Sequence, residues 1–367
     1  MLKKIALWLA VAVGSLTVLL VAVGIWISSL LASDTPREQL QTALPTDLTY
    51  LNNGVKEQRG RILAVVTSAG SSAIKGKNLG YELTELSRAY YVLQANGFEV
   101  DVASTQGGKP KMVIDTDDMG QHDYAFLNDA IAQAKITNTI PINQISASQY
   151  DAIYFVGGKG ALFDFPNNTA IQTLVREMYQ QGKVIAAICH GPAALVNVKL
   201  ANGNFLLADK QVTSFTNEEE LFLMSNAEKV FPFLLESELK QRGARFYAGP
   251  LYLNNLITDG KLITGQNPWS VWATANAIVK ALGHTPIPRQ ITAQERAVQI
   301  LMAYNQGGNK AANIQLLTTP AGCANCVDRN LIAMHALVAT MQGKVGKAID
   351  LIGVLKGVVK RVSKKDG

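Results

Sequence analysis

Hydrophobic positions follow three regimes along this chain. From Ile5 to Ser33 no charged residue interrupts the sequence; Lys3 and Lys4 precede the block and Asp34 ends it. As a helix rising ~1.5 Å per residue, about 29 residues would span about 43 Å, more than the ~30 Å hydrocarbon core of a bilayer. A helix that is apolar on every face for that length is seldom a soluble core helix. The competing reading is a cleaved signal peptide, with Ala32 at the cleavage position. Its apolar region usually runs only ~7–15 residues, however, and Leu30 fits poorly at the preceding small-residue position. The block therefore predicts a transmembrane helix over residues 5–33, residues 1–4 on the cytoplasmic side, and the lipid bilayer as a partner. The lysines predict a single pass through the inner (plasma) membrane with the folded part on the outer, periplasmic side, although Arg37 weakens the asymmetry.

Residues 34–58 are polar and carry Pro36, Pro45 and the turn Asn52-Asn53-Gly54, and they read as a linker. From Arg59 the pattern alternates. Arg61–Thr67, Phe98–Ser104, Asp151–Val156 and Lys183–Ile188 are β-branched apolar runs suited to strands. Leu83–Ala95 and Thr169–Gln181 repeat apolar residues at helical spacing, and Gly97 stops the first. Strands alternating with helices predict one α/β domain over residues 59–284, a doubly wound and mostly parallel sheet covered on both faces.

The third regime, residues 285–367, predicts a helical C-terminal extension. Val345, Ala348, Ile349, Ile352, Leu355, Val359 and Val362 form an apolar stripe among lysines. Such a helix either rests on anionic lipid or packs on its own domain or a second subunit. Cys323-Ala-Asn-Cys326 has the spacing of a redox pair or half a zinc site; with only His335 nearby to complete a metal site, a structural disulfide is the preferred reading. No metal site is expected.

Net charge is +6, concentrated at the C-terminus rather than spread over a face, so no nucleic-acid partner is expected. Three cysteines are too few for a disulfide scaffold.

In a doubly wound sheet the chemistry sits at the carboxyl ends of strands. At the end of the fourth predicted strand stands Cys189, followed by His190, Gly191 and Pro192. A cysteine in a sharp turn between a buried strand and a helix has the geometry of a nucleophile elbow, and the helix N-terminus favours the thiolate. The end of the preceding strand supplies Gly157, Gly158 and Lys159, where glycines let backbone N–H groups approach a substrate oxygen.

These segments, with Ala-Ala-Ile-Cys-His-Gly-Pro ending at Pro192, Val212-Thr-Ser-Phe-Thr-Asn-Glu-Glu-Glu220, Pro232–Leu239 and Leu262–Pro268, resemble the ThiJ/PfpI superfamily over residues 60–283. More narrowly, they are similar to its branch of glutathione-independent glyoxalases and heat-shock chaperone-like proteins. The resemblance implies a flavodoxin-like, amidotransferase-like fold with Cys189 as nucleophile and His190 as catalytic histidine. It also implies Glu85 beside the thiol and Glu220 orienting the histidine, the choice among Glu218, Glu219 and Glu220 staying open. Glu82, three residues before Glu85, is the decoy. Lys159 and Ala89 depart from relatives, which often carry His and Pro there, and this bears on substrate identity more than on fold.

The leading reading is a cofactor-independent glyoxalase or deglycase acting on a small carbonyl substrate such as methylglyoxal. A thiol peptidase or amidase, and a non-enzymatic chaperone or redox-stress sensor, are the alternatives. Glutamine amidotransfer is rejected, because no His-x-Glu pair follows the cysteine. Relatives are commonly dimers, so a homodimer is in view.

Overall fold

The computed structural model describes residues 29–31, 40–70, 79–323 and 325–363. The chain divides into two compact units: Arg37–Gln290, and Met1–Pro36 together with Ile291–Gly367.

The first unit is built on a seven-stranded sheet comprising β1 (Gly60–Val66), β2 (Phe98–Ser104), β3 (Ile140–Pro141), β4 (Ala152–Phe155), β5 (Val184–Ile188), β6 (Leu256–Asp259) and β7 (Leu262–Gly265). The strand order is β6-β7-β5-β4-β1-β2-β3, and every neighbouring pair is parallel except the β6–β7 hairpin. Four helices matter here: α1 (Leu83–Ala95), α2 (Thr169–Gln180), α3 (Asn217–Leu223) and α4 (Val271–Ala281).

Alternate residues of β1 enter different cores. Ile62, Ala64 and Val66 join a cluster that contains Leu86 and Tyr91 of α1 and Ile278 of α4. Leu63 and Val65 join Ile171, Val175 and Met178 of α2. Both faces of the strand are therefore buried, which is why it reads as an unbroken apolar run rather than an alternating one. Gly97, at φ +88°, takes the left-handed conformation that ends α1. The predicted mostly parallel α/β sheet is present.

The order of strands reverses about β1, with β2 on one side and β4 then β5 on the other. Loops leaving the carboxyl ends of β4 and β5 therefore open a crevice beside the start of α1, the usual place for chemistry in this architecture. Residues 40–58, read above as a linker, include the helix Thr49–Asn52 and bury Ala43, Leu48 and Tyr50 in the first core.

The second unit comprises α5 (Ala293–Leu316), α6 (Arg329–Met341) and α7 (Val345–Val362). Helix α5 is bent where Gly307 and the left-handed Gly308 (φ +63°) leave helical geometry. Cys323 and Cys326 are disulfide-bonded, their Cα atoms 5.5 Å apart. The buried stripe of α7 is Ala348, Leu351, Val354, Leu355, Val358 and Val362, rotated from the predicted one; Val345 and Ile349 are exposed. Its inner face is set by packing on α5 and α6, a tertiary choice that periodicity alone leaves open.

The single-pass membrane localisation expected from the N-terminal block, with its lipid-bilayer partner, does not stand. Among the described residues no helix is long and apolar enough to cross a membrane. Of residues 5–33 only 29–31 are described, and the rest of the predicted anchor lies outside them. Leu30 is buried against protein, and its carbonyl accepts a hydrogen bond from Arg329 Nη1 at 3.3 Å. The end of that apolar block is thus spent on packing within the helical unit.

Candidate active site

Cys189 follows β5 directly and holds φ +56°, a left-handed conformation that costs a side-chain-bearing residue energy and persists only when its surroundings enforce it. Two backbone hydrogen bonds do so. The Cys189 N–H donates to the Gly265 carbonyl at 2.9 Å, and the Phe215 N–H donates to the Cys189 carbonyl at 2.9 Å. The elbow read from the sequence is therefore present, but the element after it is a short 3-10 turn, Gly191–Leu195, rather than a full helix.

The thiol sits between two acid–base partners. On one side, Cys189 Sγ lies 3.2 Å from His190 Nδ1, and His190 Nε2 lies 2.6 Å from Glu220 Oε2. The imidazole packs against Phe215, ring centroids 4.8 Å apart. Burial alone would raise the Glu220 carboxyl, but the His190 charge and hydrogen bond, with Lys159 adding to them, hold it below the usual carboxylate range.

On the other side stands Glu85, fully buried in the first turn of α1. Its Oε2 accepts the Gly157 N–H at 2.8 Å, and Tyr154 Oη donates to its backbone carbonyl at 2.9 Å. Burial pushes the Glu85 carboxyl well up, and the charge of Glu82 adds to this; hydrogen bonds from Cys189 and Gly157 pull the other way. Burial likewise pushes the Cys189 thiol up, with Glu85 and Glu82 contributing. Two adjacent acids, each unable to ionise freely beside the other, hold one proton in common. The expected depression of the thiol by a helix dipole is outweighed here, since a five-residue turn aligns few peptide units.

Glycine at 157 is a steric requirement. A Cβ there would stand 2.8 Å from Cys189 Cβ and 2.5 Å from Glu85 Oε2. The Gly157 N–H, read from the sequence as an oxyanion donor, is committed to Glu85. The N–H groups of Gly158 and His190 have no acceptor among the described residues, so they are the donors left to meet a substrate oxygen. Lys159 is partly exposed in the same loop.

The run of three glutamates resolves into three environments. Glu218 is exposed. Glu219 is fully buried and accepts from Thr216 N (2.9 Å) and Oγ1 (3.0 Å), Tyr252 N (2.8 Å), Gln266 Nε2 (3.0 Å) and Asn267 Nδ2 (2.9 Å). Glu220 alone reaches His190. Sequence reasoning passed over Glu219, although Thr216-x-x-Glu219 is a capping-box signature that assigns it to the start of α3. Tyr252, also passed over, is held at φ +51° by Glu219 and packs near Phe215, centroids 6.3 Å apart. Cys323 and Cys326 belong to the other unit. Among the described residues no group of three or more His, Cys, Asp or Glu side chains is arranged to hold a metal ion.

The sequence matches the DJ-1/PfpI family over residues 78–281. A glutathione-independent glyoxalase of Schizosaccharomyces pombe is 32% identical over 217 residues, 56% of this chain and 90% of the relative. Among solved structures, the rapid encystment protein of Francisella tularensis superposes with a TM-score of 0.58 at 34% identity, covering 61% of this chain and 100% of that one. Glyoxalase III of Candida albicans superposes with a TM-score of 0.56 at 25% identity, covering 61% and 98%. The family match spans both sides of the thiol, from the start of α1 to the end of α4, and this chain belongs to the DJ-1/PfpI family.

Proposed function

We propose that this protein is a glutathione-independent glyoxalase, converting methylglyoxal-like 2-oxoaldehydes to 2-hydroxy acids. The observation that carries the reading is depth. Cys189 is 3% exposed, His190 2% and Glu85 0%, so the reacting groups admit a small carbonyl compound but not a polypeptide. The glyoxalase relatives at about one-third identity support the same choice.

In this reading Cys189 Sγ adds to the aldehyde carbon C1, and His190 supplies a proton to the new oxyanion while Glu220 holds the imidazole. Glu85, as carboxylate once the thiol proton has left, removes the C1 hydrogen as a proton, giving an enediol across C1 and C2. Returning that proton to C2 yields the thioester of a 2-hydroxy acid. Water cleaves the thioester, releasing the acid and restoring the thiol. Gly158 and His190 N–H groups are placed to stabilise the developing oxyanion.

The test is lactate formation from methylglyoxal by the full chain beside Cys189→Ala and Glu85→Gln. Turnover lost in both variants is expected. A folded wild type that forms no lactate while Cys189 still reacts rapidly with iodoacetamide would overturn the reading in favour of another thiol chemistry.

A further inference from the structure

Glu85 is sealed from solvent, and the proposed reaction uses it both to take and to return a proton. Its Oε2 is bound by Gly157 and its Oε1 has no hydrogen-bond partner among the described residues. Any exchange of its proton with water therefore needs an intermediary, and the acidic groups around it differ sharply in their availability.

Asp118 is engaged. Arg88 Nη2 lies 3.5 Å from its Oδ1, Thr84 hydrogen-bonds it, and the same guanidinium binds Asp123 at 3.0 Å. Asp115 is exposed on the segment leading to it. Glu82 differs from both. It precedes α1 as the residue that caps it, its side chain makes no capping hydrogen bond, and it forms no ion pair or hydrogen bond through its carboxyl among the described residues. It is partly exposed, and the three-residue offset puts it on the same turn as Glu85, within about 5–6 Å between Cβ atoms. Its backbone is fixed against the site too: the Glu82 N–H donates to the Gly157 carbonyl at 3.3 Å, while the Gly157 N–H holds Glu85. One peptide thus sets the two carboxyls in register, one at the boundary with solvent and one beneath it.

We propose that Glu82 is a proton relay between Glu85 and bulk water. Glu85 passes the proton it has taken from the substrate carbon to the Glu82 carboxylate, which exchanges it with solvent and hands a solvent proton back; no net charge moves. Burial, together with Asp118 and Asp115 and against Lys159, brings the Glu82 carboxyl up to about 7, so both protonation states are populated near neutrality, as a relay requires.

This proposal rests on the glyoxalase reading, and the experiment separates the two. Methylglyoxal is turned over in D2O, and lactate is analysed by proton NMR both for its amount and for deuterium at C2. The amount reports the reaction; the C2 label reports exchange during the lifetime of the enediol. Wild type is expected to place deuterium at C2 in more than about half of the product, with Glu82→Gln lowering that fraction at least about threefold and Glu82→Asp restoring most of it. A merely structural role for Glu82 would change the rate and leave the label where it was. Lactate with an unchanged C2 label in Glu82→Gln, or a wild type that retains protium, would overturn the relay and leave the glyoxalase reading standing. Absence of lactate from wild type would overturn both.

Discussion

His190 Nε2 meets Glu220 Oε2 at 2.6 Å while its Nδ1 faces Cys189 Sγ at 3.2 Å, so a single imidazole joins the thiol to a buried carboxylate. Replacing Glu220 with Gln keeps the size and removes the charge. Under the proposed mechanism kcat/KM should fall about 10²-fold or more, because His190 loses the partner that fixes its orientation and stabilises its protonated form. Steady-state lactate assays with an intact circular-dichroism spectrum check this; an unchanged rate would remove Glu220 from the site.

The same pair has a pH signature. The folded Glu220 carboxyl lies below its ordinary value of 4.5, so its contribution to stability is present above that value and is lost as pH falls through the lowered one. The stability difference between wild type and Glu220→Gln should therefore be largest near neutrality and shrink on acidification below about pH 4. Urea melts across that range measure it.

Glu82 should behave in the opposite sense. Its folded carboxyl is raised to about 7 from 4.5, so the fold prefers it protonated. Stability from this group is complete below 4.5 and declines as pH rises through 7. Glu82→Gln removes that decline. The variant should be more stable than wild type at pH ~8, by on the order of 1–2 kcal/mol after discounting for partial exposure, and nearly equal to it at pH ~4. A variant less stable than wild type at pH ~8 would contradict the electrostatic account of this cluster.

How much of this was open to sequence reading divides along physical lines. The sheet was legible because both faces of its long strands are buried, and strands such as β1 therefore appear as unbroken apolar runs. The elbow was legible because Cys189, Gly191 and Pro192 are local, each within three residues of the others. Glu220 could be named but not separated from its neighbours, since burial of Glu219 and Glu220 and exposure of Glu218 depend on how α3 lies on the sheet. Glu219 and Tyr252 are joined across 33 residues, a contact that only the tertiary fold creates. The N-terminal block was misassigned because length and hydropathy do not distinguish a helix facing lipid from apolar residues packed on other helices, and Leu30 belongs to the second kind.

Gly157→Ala should separate geometry from folding. The added Cβ would stand 2.8 Å from Cys189 Cβ and press on Glu85 Oε2, so one of the two must move. Displacement of a reacting group by about 1 Å can cost ~10²-fold in rate, and that loss is expected here with a small change in Tm. Retained activity would mean that the 156–160 loop shifts freely.

Glu219→Gln tests the wall behind the histidine. The carboxylate gathers donors from Thr216, Tyr252, Gln266 and Asn267 and faces no cation among them. An amide supplies only one acceptor oxygen, and its NH2 must point at groups that are themselves donors, leaving at least two buried N–H or O–H groups unsatisfied. A loss of about 2–4 kcal/mol is expected from that count. Because Glu219 fixes Tyr252, Tyr252 packs near Phe215, and Phe215 lies on His190, activity should fall as well, with the loss in kcat rather than KM. Denaturant melts and lactate kinetics on the same sample decide it. A stability loss with unchanged kcat would show that the wall holds the fold without setting the imidazole.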